Sequence, residues 1–264
     1  MFTDSDAYDR YMGRWSRRLA RPFVEFAGVK AGDAVLDVGC GIGAVTVEAA
    51  TIAGPGRVVG VDRSPAYVAA ASSQAPREEG ARFETGEAMS LSFDNASFDR
   101  TLSALVLTFV PDGARAAAEM RRVTRPGGVA AAAVWDYGSG MEMLRVFWDE
   151  AVAIDPRLEP RDERHLPLCR EGQLTTLWMT VGFNQVVSSS IDIDMPFASF
   201  DDYWDPFLLG QGPAGACVSA MDEATRDKLA AALRKRLLHA GANAPPVLRG
   251  RAWVVRGTAP GPTA

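Results

Sequence analysis

Apolar residues recur along this chain in two rhythms. Between residues 5 and 28, Tyr8, Tyr11, Met12, Trp15, Leu19, Phe23 and Phe26 fall at helical spacing with arginines between them. Pro22 interrupts this pattern and predicts two helices, with the proline early in the second. From residue 33 a different order begins. "DAVLDV" (33–38), "RVVGVD" (57–62), "ARFETG" (81–86), "FDRTLSA" (98–104) and "VAAAAVWD" (129–136) read as strands. Between them, "AVTVEAATIA" (44–53), "SPAYVAAASSQA" (64–75) and "DGARAAAEMRRVTR" (112–125) read as helices. Ser64 is placed to cap the second of these, with Pro65 at its first position, and "PGG" stops the third. Strands alternating with helices predict a parallel sheet covered on both faces.

The second half is less regular. "MEMLRVFWDEAVAI" (141–154) predicts a helix, followed by the charged segment "DPRLEPRDERHLPLCR". "EGQLTTLWMTVGF" (171–183) reads as a helix and "QVVSSSIDIDM" (185–195) as an alternating strand. Helices at 199–210 and 222–240 are joined by "QGPAGAC", and "RAWVVRG" (251–257) is a last strand before a frayed tail. The two helices separate two strands able to pair, which predicts a helical insertion at about 195–249.

Composition narrows the class of partner. The 264 residues suit one sizeable domain, and 47% apolar with 23% charged residues is ordinary for a globular chain. A net charge of −5 argues against nucleic-acid or anionic-membrane partners. Cys40, Cys169 and Cys217 share no metal-ligand spacing, so no metal is expected and the thiols read as reduced. The N-terminus has no apolar signal core, and Asp4, Asp6 and Asp9 disfavour a presequence. No run approaches the ~20 apolar residues of a membrane span. A cytoplasmic protein is expected.

Parallel sheets bind ligands at the carboxyl ends of their strands, near the reversal of strand order. There the stretch "VLDVGCGIGAVT" (35–46) fits two fingerprints. Gly39, Gly41 and Ala44 match G-x-G-x-x-G/A, a dinucleotide loop; Asp37, Gly39, Gly41 and Gly43 match D-x-G-x-G-x-G, a loop for S-adenosylmethionine. Glycines serve either use, and Asp62, closing the second strand, suits the ribose of either cofactor. Asp37 leans toward the second, since a carboxylate there orients the loop and meets the amino group of a methionine.

Four segments in order, "VLDVGCGIG", "VVGVDRS", "GEAMSLSFDNASFDRTLS" and "TFVPDGARAAAEMRRVTRPGG", make the pattern specific. Together they resemble the class I S-adenosylmethionine-dependent methyltransferases (methyltransferase type 11), especially the subgroup that includes ubiquinone/menaquinone methyltransferases. The resemblance covers about residues 30–136. It implies an α/β, Rossmann-like doubly wound sheet of seven strands, mostly parallel with an antiparallel last strand. It also implies a helical cap over residues 1–29 and a methyltransferase domain over 30–264.

Carried over, the resemblance implies that Gly39, Cys40, Gly41 and Gly43 surround the methionine moiety and that Asp62 holds the ribose. Arg63 would flank the adenine, which Glu87, Ala88 and Met89 would line, with Glu87 standing where the family usually has Asp. Ser103, Ala104 and Leu105 would pass the sulfonium. Asp99 reads as a structural acid and Cys40 as a small hydrophobe rather than a nucleophile. Tyr8, Tyr11, Arg14 and Trp15 belong to a helix that would fold over the cofactor, where an aromatic ring gains cation–π attraction. Arg14 would pair with the methionine carboxylate.

Methyl transfer requires no fixed triad, since proximity and orientation supply much of the acceleration. Candidates for a general base are Asp136, Tyr137 and His165. His239, at the end of a predicted helix, reads as structural. An acceptor pocket is expected from Trp135, Tyr137, Trp148, Tyr203, Trp204 and Phe207. The predicted activity is methyl transfer to a small hydrophobic or aromatic molecule, by a monomer or homodimer. The competing readings are an NAD(P)-dependent oxidoreductase and a non-catalytic S-adenosylmethionine-binding protein.

Overall fold

The computed structural model describes residues 5–75, 80–238 and 245–261. Its N-terminal segment does not break where the sequence predicts. Helix α1 (Ser5–Tyr8) passes through a π-helical turn, Asp9–Gly13, directly into α2 (Arg14–Ala27), and Pro22 lies inside α2. An interior proline removes a backbone hydrogen bond and costs ~3 kcal/mol. Against that, α2 buries Trp15, Leu19, Phe23 and Val24, each worth ~1.5–3 kcal/mol once removed from water. Burial decides the outcome and the helix runs through.

The alternation that follows appears as expected. The first half contains β1 (Val35–Val38), α3 (Ala44–Ala53), β2 (Val58–Asp62), α4 (Pro65–Gln74), β3 (Arg82–Thr85), β4 (Phe98–Ala104), α5 (Gly113–Val123) and β5 (Thr124–Trp135). Ser64 caps α4, accepting from the Tyr67 N–H. "PGG" does more than stop α5: it lies within β5, at a register shift against β4. Gly128 is required there, because a Cβ would stand 2.8 Å from the Asp99 carbonyl oxygen. Beyond it, Ala130 to Val134 are fully buried, the near-continuous apolar run of a central strand covered on both faces.

The second half comprises α6 (Glu142–Ile154), two short 3-10 turns at Pro156–Arg161 and Glu163–His165, α7 (Gln173–Thr180) and β6 (Asn184–Met195). Then come α8 (Phe200–Leu208), α9 (Gly212–Ser219), α10 (Glu223–Leu237) and β7 (Leu248–Thr258). Among the described residues three helices, not two, therefore separate β6 from β7. The sequence reads "QGPAGAC" as a linker, yet α9 forms there, with Pro213 in its first turn and Ala214, Cys217 and Val218 buried. Small residues let α9 pack closely beside α8, which compensates for weak helix propensity. His239 lies outside the described residues.

All seven strands form one sheet in the order β3-β2-β1-β4-β5-β7-β6. β7 runs antiparallel to both β5 and β6, and the remaining pairs are parallel. The chain moves outward from β1 to β3, then restarts on the other side with β4. The carboxyl ends of β1 and β4 thus flank the reversal point where a ligand belongs. Among the described residues, no helix is long and apolar enough to cross a membrane.

The continuous α2 has a measurable consequence. Pro22→Ala should raise unfolding free energy by ~1–3 kcal/mol, because it restores a helix-interior hydrogen bond at modest cost in unfolded-state entropy. Urea titration reads this; a neutral result would mean that the helix is broken at residue 22.

Candidate functional site

At the reversal point β1 ends in the loop that turns into α3. Gly39 takes φ +76°, and a Cβ on it would stand 2.4 Å from a Val106 methyl group. Both demands exclude other side chains at this position. Asp37, on the last turn of β1, is 1% exposed and accepts from the Thr46 hydroxyl of α3 at 2.7 Å. Asp62, at the end of β2, accepts from the Gly41 N–H at 3.0 Å and the Ser64 N–H at 2.9 Å. One carboxylate therefore fixes both the glycine loop and the turn after β2.

Above these ends lies a cavity of about 360 Å³, within the ~300–1,000 Å³ usual for small ligands. Asp37, Gly39, Cys40 and Gly41 line its floor, with Asp62 and Arg63 beside them. Glu87, Ala88 and Met89 line one wall, and Ala104 and Leu105 another. Leu105 adopts φ +65° where β4 ends, a strained conformation for a side chain of this size. The roof comes from the N-terminal helices: Tyr8, Met12, Ser16 and Leu19 present one face to the cavity. Tyr8 shares a hydrogen bond with the Ser16 hydroxyl at 3.2 Å and its ring lies 5.5 Å from that of Tyr67. The far end is apolar and aromatic, with Phe109, Val110, Trp135 and Tyr137.

Charge in the cavity is one-sided. Asp37, Asp62 and Glu87 are its carboxylates and Arg63 its one guanidinium among the described residues. Burial is the main force raising the Asp62 carboxyl, partly offset by its two backbone donors. Burial also pushes Asp37 up to about 7; the Thr46 hydrogen bond opposes this, and the Asp62 charge adds to it. Cys40 is held well above its ordinary range by burial and by the two aspartates, so it remains a thiol.

Several expected residues lie elsewhere. Tyr11 is one position out of phase with Tyr8: it is buried and packs edge-on against Phe207, 5.4 Å between centroids. Trp15 is likewise buried, against Phe197. Arg14 pairs with Asp202 of α8 at 2.7 Å and stacks over Trp15 and Phe197, leaving it engaged away from the cavity. Gly43 supports the loop from behind as the residue before α3. Ser103 donates to the Val38 carbonyl at 2.9 Å, tying β4 to β1. Asp136 does not face the cavity; it accepts from the N–H and hydroxyl of Ser139 at 3.0 Å and shapes the turn after β5. His165 is a surface residue paired with Glu159 at 2.7 Å. Of the three candidate bases, only Tyr137 lines the cavity. The aromatic residues Trp148, Tyr203 and Phe207 are buried behind it. Asp99 anchors the Ala34 N–H at 2.7 Å, in the structural role expected.

The sequence reading passed over Met12, Ser16, Val106 and Phe109. Residues 12 and 16 were detectable, since they follow Tyr8 at intervals of four. Phe109 lies in the family-like segment that begins at Thr108, whereas Val106, directly beyond β4, falls between two such segments and carries no local signal.

Residues 36–132 match a family model described as a methyltransferase domain. That stretch holds the glycine loop, Asp62 and the strands β1 to β4 around the cavity. The 2-methyl-6-phytyl-1,4-hydroquinone methyltransferase of Synechocystis sp. is 37% identical over 121 residues, 46% of this chain and 38% of that protein. The erythromycin 3''-O-methyltransferase of Saccharopolyspora erythraea is 39% identical over 122 residues, 44% of this chain and 39% of that protein. The aligned stretch thus spans about two fifths of the length of these curated relatives. A crystal structure of Haemonchus contortus phosphoethanolamine N-methyltransferase 2 with S-adenosyl-L-methionine superimposes with a TM-score of 0.59 at 19% identity. It covers 97% of this chain and 57% of that one, a likeness of fold.

Two substitutions probe the candidate site. Gly39→Ala should weaken S-adenosylhomocysteine binding about tenfold or more, from strain at positive φ and collision with Val106. His165→Ala should leave it within about twofold, as expected of an exposed pair. Isothermal calorimetry checks both.

Proposed function

We propose that the protein transfers a methyl group from S-adenosylmethionine to a small hydrophobic or aromatic molecule. The observation that carries this reading is the charge of the cavity. Three carboxylates against one arginine suit a cationic ligand with hydroxyl groups and oppose a pyrophosphate, which favours positive potential. The glycine cradle fits the same ligand: at Gly39 backbone, not side chain, faces it. The oxidoreductase reading is disfavoured on these grounds. A cytoplasmic location is consistent with this reading.

When bound, S-adenosylmethionine supplies a methyl carbon activated by a sulfonium. Gly39, Cys40 and Gly41 would give backbone access to the methionine portion, and Asp37 would face its amino group. Asp62, with lone pairs beyond those used by Gly41 and Ser64, would accept from the ribose hydroxyls. Glu87, Ala88 and Met89 would border the adenine. Tyr8 would present a ring to positive charge, and the helical roof would cover one side of the bound cofactor. Holding two reactants in line is worth up to ~7–11 kcal/mol without a reacting side chain. The aromatic end, with Phe109, Trp135 and Tyr137, offers the acceptor its surface. The named relatives act on a phytyl hydroquinone and on erythromycin, which supports a small-molecule acceptor.

The direct test incubates the protein with isotopically methyl-labelled donor and a metabolite extract, and follows labelled products by mass spectrometry. Calorimetry with S-adenosylhomocysteine and NADH runs beside it. Binding of NADH alone would defeat the proposal, and donor binding without any labelled product would favour a non-catalytic role.

Asp37 adds a pH signature. Its carboxyl is protonated below about 7 in the free protein, and a neighbouring ammonium favours the ionised form. Binding below that pH should therefore expel close to one proton, and affinity should rise with pH until about 7. For folding the sign is opposite. The native state retains a proton that the unfolded chain loses near 3.8, so this stabilisation is full below that value and is lost as pH climbs through about 7. Calorimetry in buffers of different ionisation enthalpy measures the released proton, and Asp37→Asn should abolish it.

A further inference from the structure

Tyr137 reads in the sequence as a candidate base, yet the structure gives its hydroxyl a different setting. The residue stands directly beyond β5, in a turn that Asp136 holds in place. The Asp136 N–H donates to the Arg251 carbonyl at 2.8 Å, and its own carbonyl accepts from the Gly140 and Met141 N–H groups at 3.0 and 2.8 Å. Its carboxylate accepts from the N–H and hydroxyl of Ser139. The Tyr137 N–H donates to the Trp135 carbonyl at 2.9 Å. Backbone on both sides of Tyr137 is therefore fixed, and its ring meets that of Phe109 edge-on, 6.4 Å between centroids.

Tyr137 is 4% exposed and Trp135 1%, and both line the cavity. Neither the phenol hydroxyl nor the indole N–H forms a hydrogen bond to any described residue. Comparable groups deeper in the core are satisfied. The Tyr203 hydroxyl donates to the Met143 carbonyl at 3.0 Å, and the Trp178 indole to the Ala130 carbonyl at 3.1 Å. Tyr11 and Trp15 also carry unpartnered polar atoms, but both are sealed in the core and neither lines the cavity. A buried donor without a partner is costly, and where it borders a cavity a ligand can supply the acceptor.

The chemistry of this end is one-sided. An indole N–H can only donate. Burial holds the Tyr137 phenol well above its ordinary range, so it keeps its proton and donates as well. The three cavity carboxylates come from β1, β2 and the turn after β3. Among the described residues, the lining contributed from β4 onward holds no carboxylate, and Phe109, Val110 and Pro111 make it flat and apolar. A molecule that matches this end is itself flat and apolar, and carries an oxygen able to accept a hydrogen bond.

We propose that Tyr137 recognises the methyl acceptor: its hydroxyl donates a hydrogen bond to an oxygen on a flat, apolar molecule, at the end of the cavity where Trp135 offers a second donor. This rests on the methyl-transfer reading and narrows its substrate class. Selection follows from the cost of omitting the oxygen, since a pure hydrocarbon would leave both donors buried and unpaired. A phenol that keeps its own proton orients the acceptor and takes no proton from it. Its contribution is position, and the pinned turn after β5 makes that position reproducible.

Binding of two probes to the protein saturated with S-adenosylhomocysteine provides the test, read by titration calorimetry. Acetophenone and α-methylstyrene have nearly the same shape and differ by a carbonyl oxygen in place of a methylene group. Tyr137→Phe should weaken acetophenone about fivefold and leave α-methylstyrene within about twofold. A purely structural role would weaken both probes alike. Because the hydroxyl has no partner in the protein, Tyr137→Phe should also leave the thermal midpoint unchanged. Tyr203→Phe, which removes the bond to the Met143 carbonyl, should lower the midpoint and leave the ratio of the two affinities unaltered. Equal losses for both probes, or no loss for either, would overturn the proposal. So would failure of acetophenone to bind the wild-type complex, or a midpoint lowered by Tyr137→Phe. S-adenosylhomocysteine affinity, measured first, separates the two levels: if it is intact, a failed probe result removes this inference alone, and if it is absent, the methyl-transfer reading falls and takes this one with it.

Discussion

The cavity depends on a carboxylate placed between two backbone amides. Asp62 takes the Gly41 N–H with one oxygen and the Ser64 N–H with the other. Those donors belong to the loops that leave β1 and β2, so the contact fixes two strand ends with one side chain. Charge-assisted bonds of this kind are worth ~1.5–3 kcal/mol each, enough to hold a glycine loop that has little conformational preference of its own. The loop in turn leaves space for Val106 to approach Gly39, and that approach brings the turn after β4 over the floor. Removing Asp62 would therefore loosen the walls as well as delete a ligand contact.

The same arrangement is electrostatically expensive. Burial raises the proton affinity of both Asp37 and Asp62; the Asp62 charge adds to it at Asp37 and the Glu87 charge at Asp62. The native protein holds Asp37 at the edge of ionisation, and a neighbouring cation would relieve that cost by charging it. On the proposed reading, binding energy is thus prepared in the free protein, and it discriminates by sign. A phosphate would meet the same acids as a penalty. Specificity for a cationic donor would follow as much from what the floor repels as from what it attracts.

Local signals made much of this legible in the sequence. The strand and helix alternation, the Ser64 cap and the left-handed glycines of the loop are each decided within a few residues. Elements decided by distant packing were not. Pro22 reads as a break because the gain from burying Trp15, Leu19 and Phe23 appears only when the sheet is present beneath them. "QGPAGAC" reads as a linker because its propensity is poor, whereas close packing beside α8 makes it a helix. Tyr8 and Tyr11 look equivalent in sequence, but the helix path sends one to the cavity and the other to Phe207. Asp136 sits where a base was expected, yet its lone pairs are taken by Ser139. The burial of Glu163 leaves no local sign either: in a run of charges nothing marks the one whose neighbour, Asp162, is captured by Arg145.

The two halves of the molecule are joined through the roof of the cavity. That cavity is built at the ends of the first five strands and roofed by α1 and α2, while Asp202 and Phe207 come from the later segments. Arg14 joins the roof to α8 through Asp202, with its guanidinium packed against the rings of Trp15 and Phe197. Tyr11 lies between these attachments, on the roof helix but packed on α8. A change in the segment between β6 and β7 that moved Phe207 would therefore shift the helices that roof the cavity. Variation in α8 is confined to the range that keeps Arg14 and Tyr11 seated. The constraint is mechanical: α8 lines no part of the cavity, yet it holds the helices that cover it.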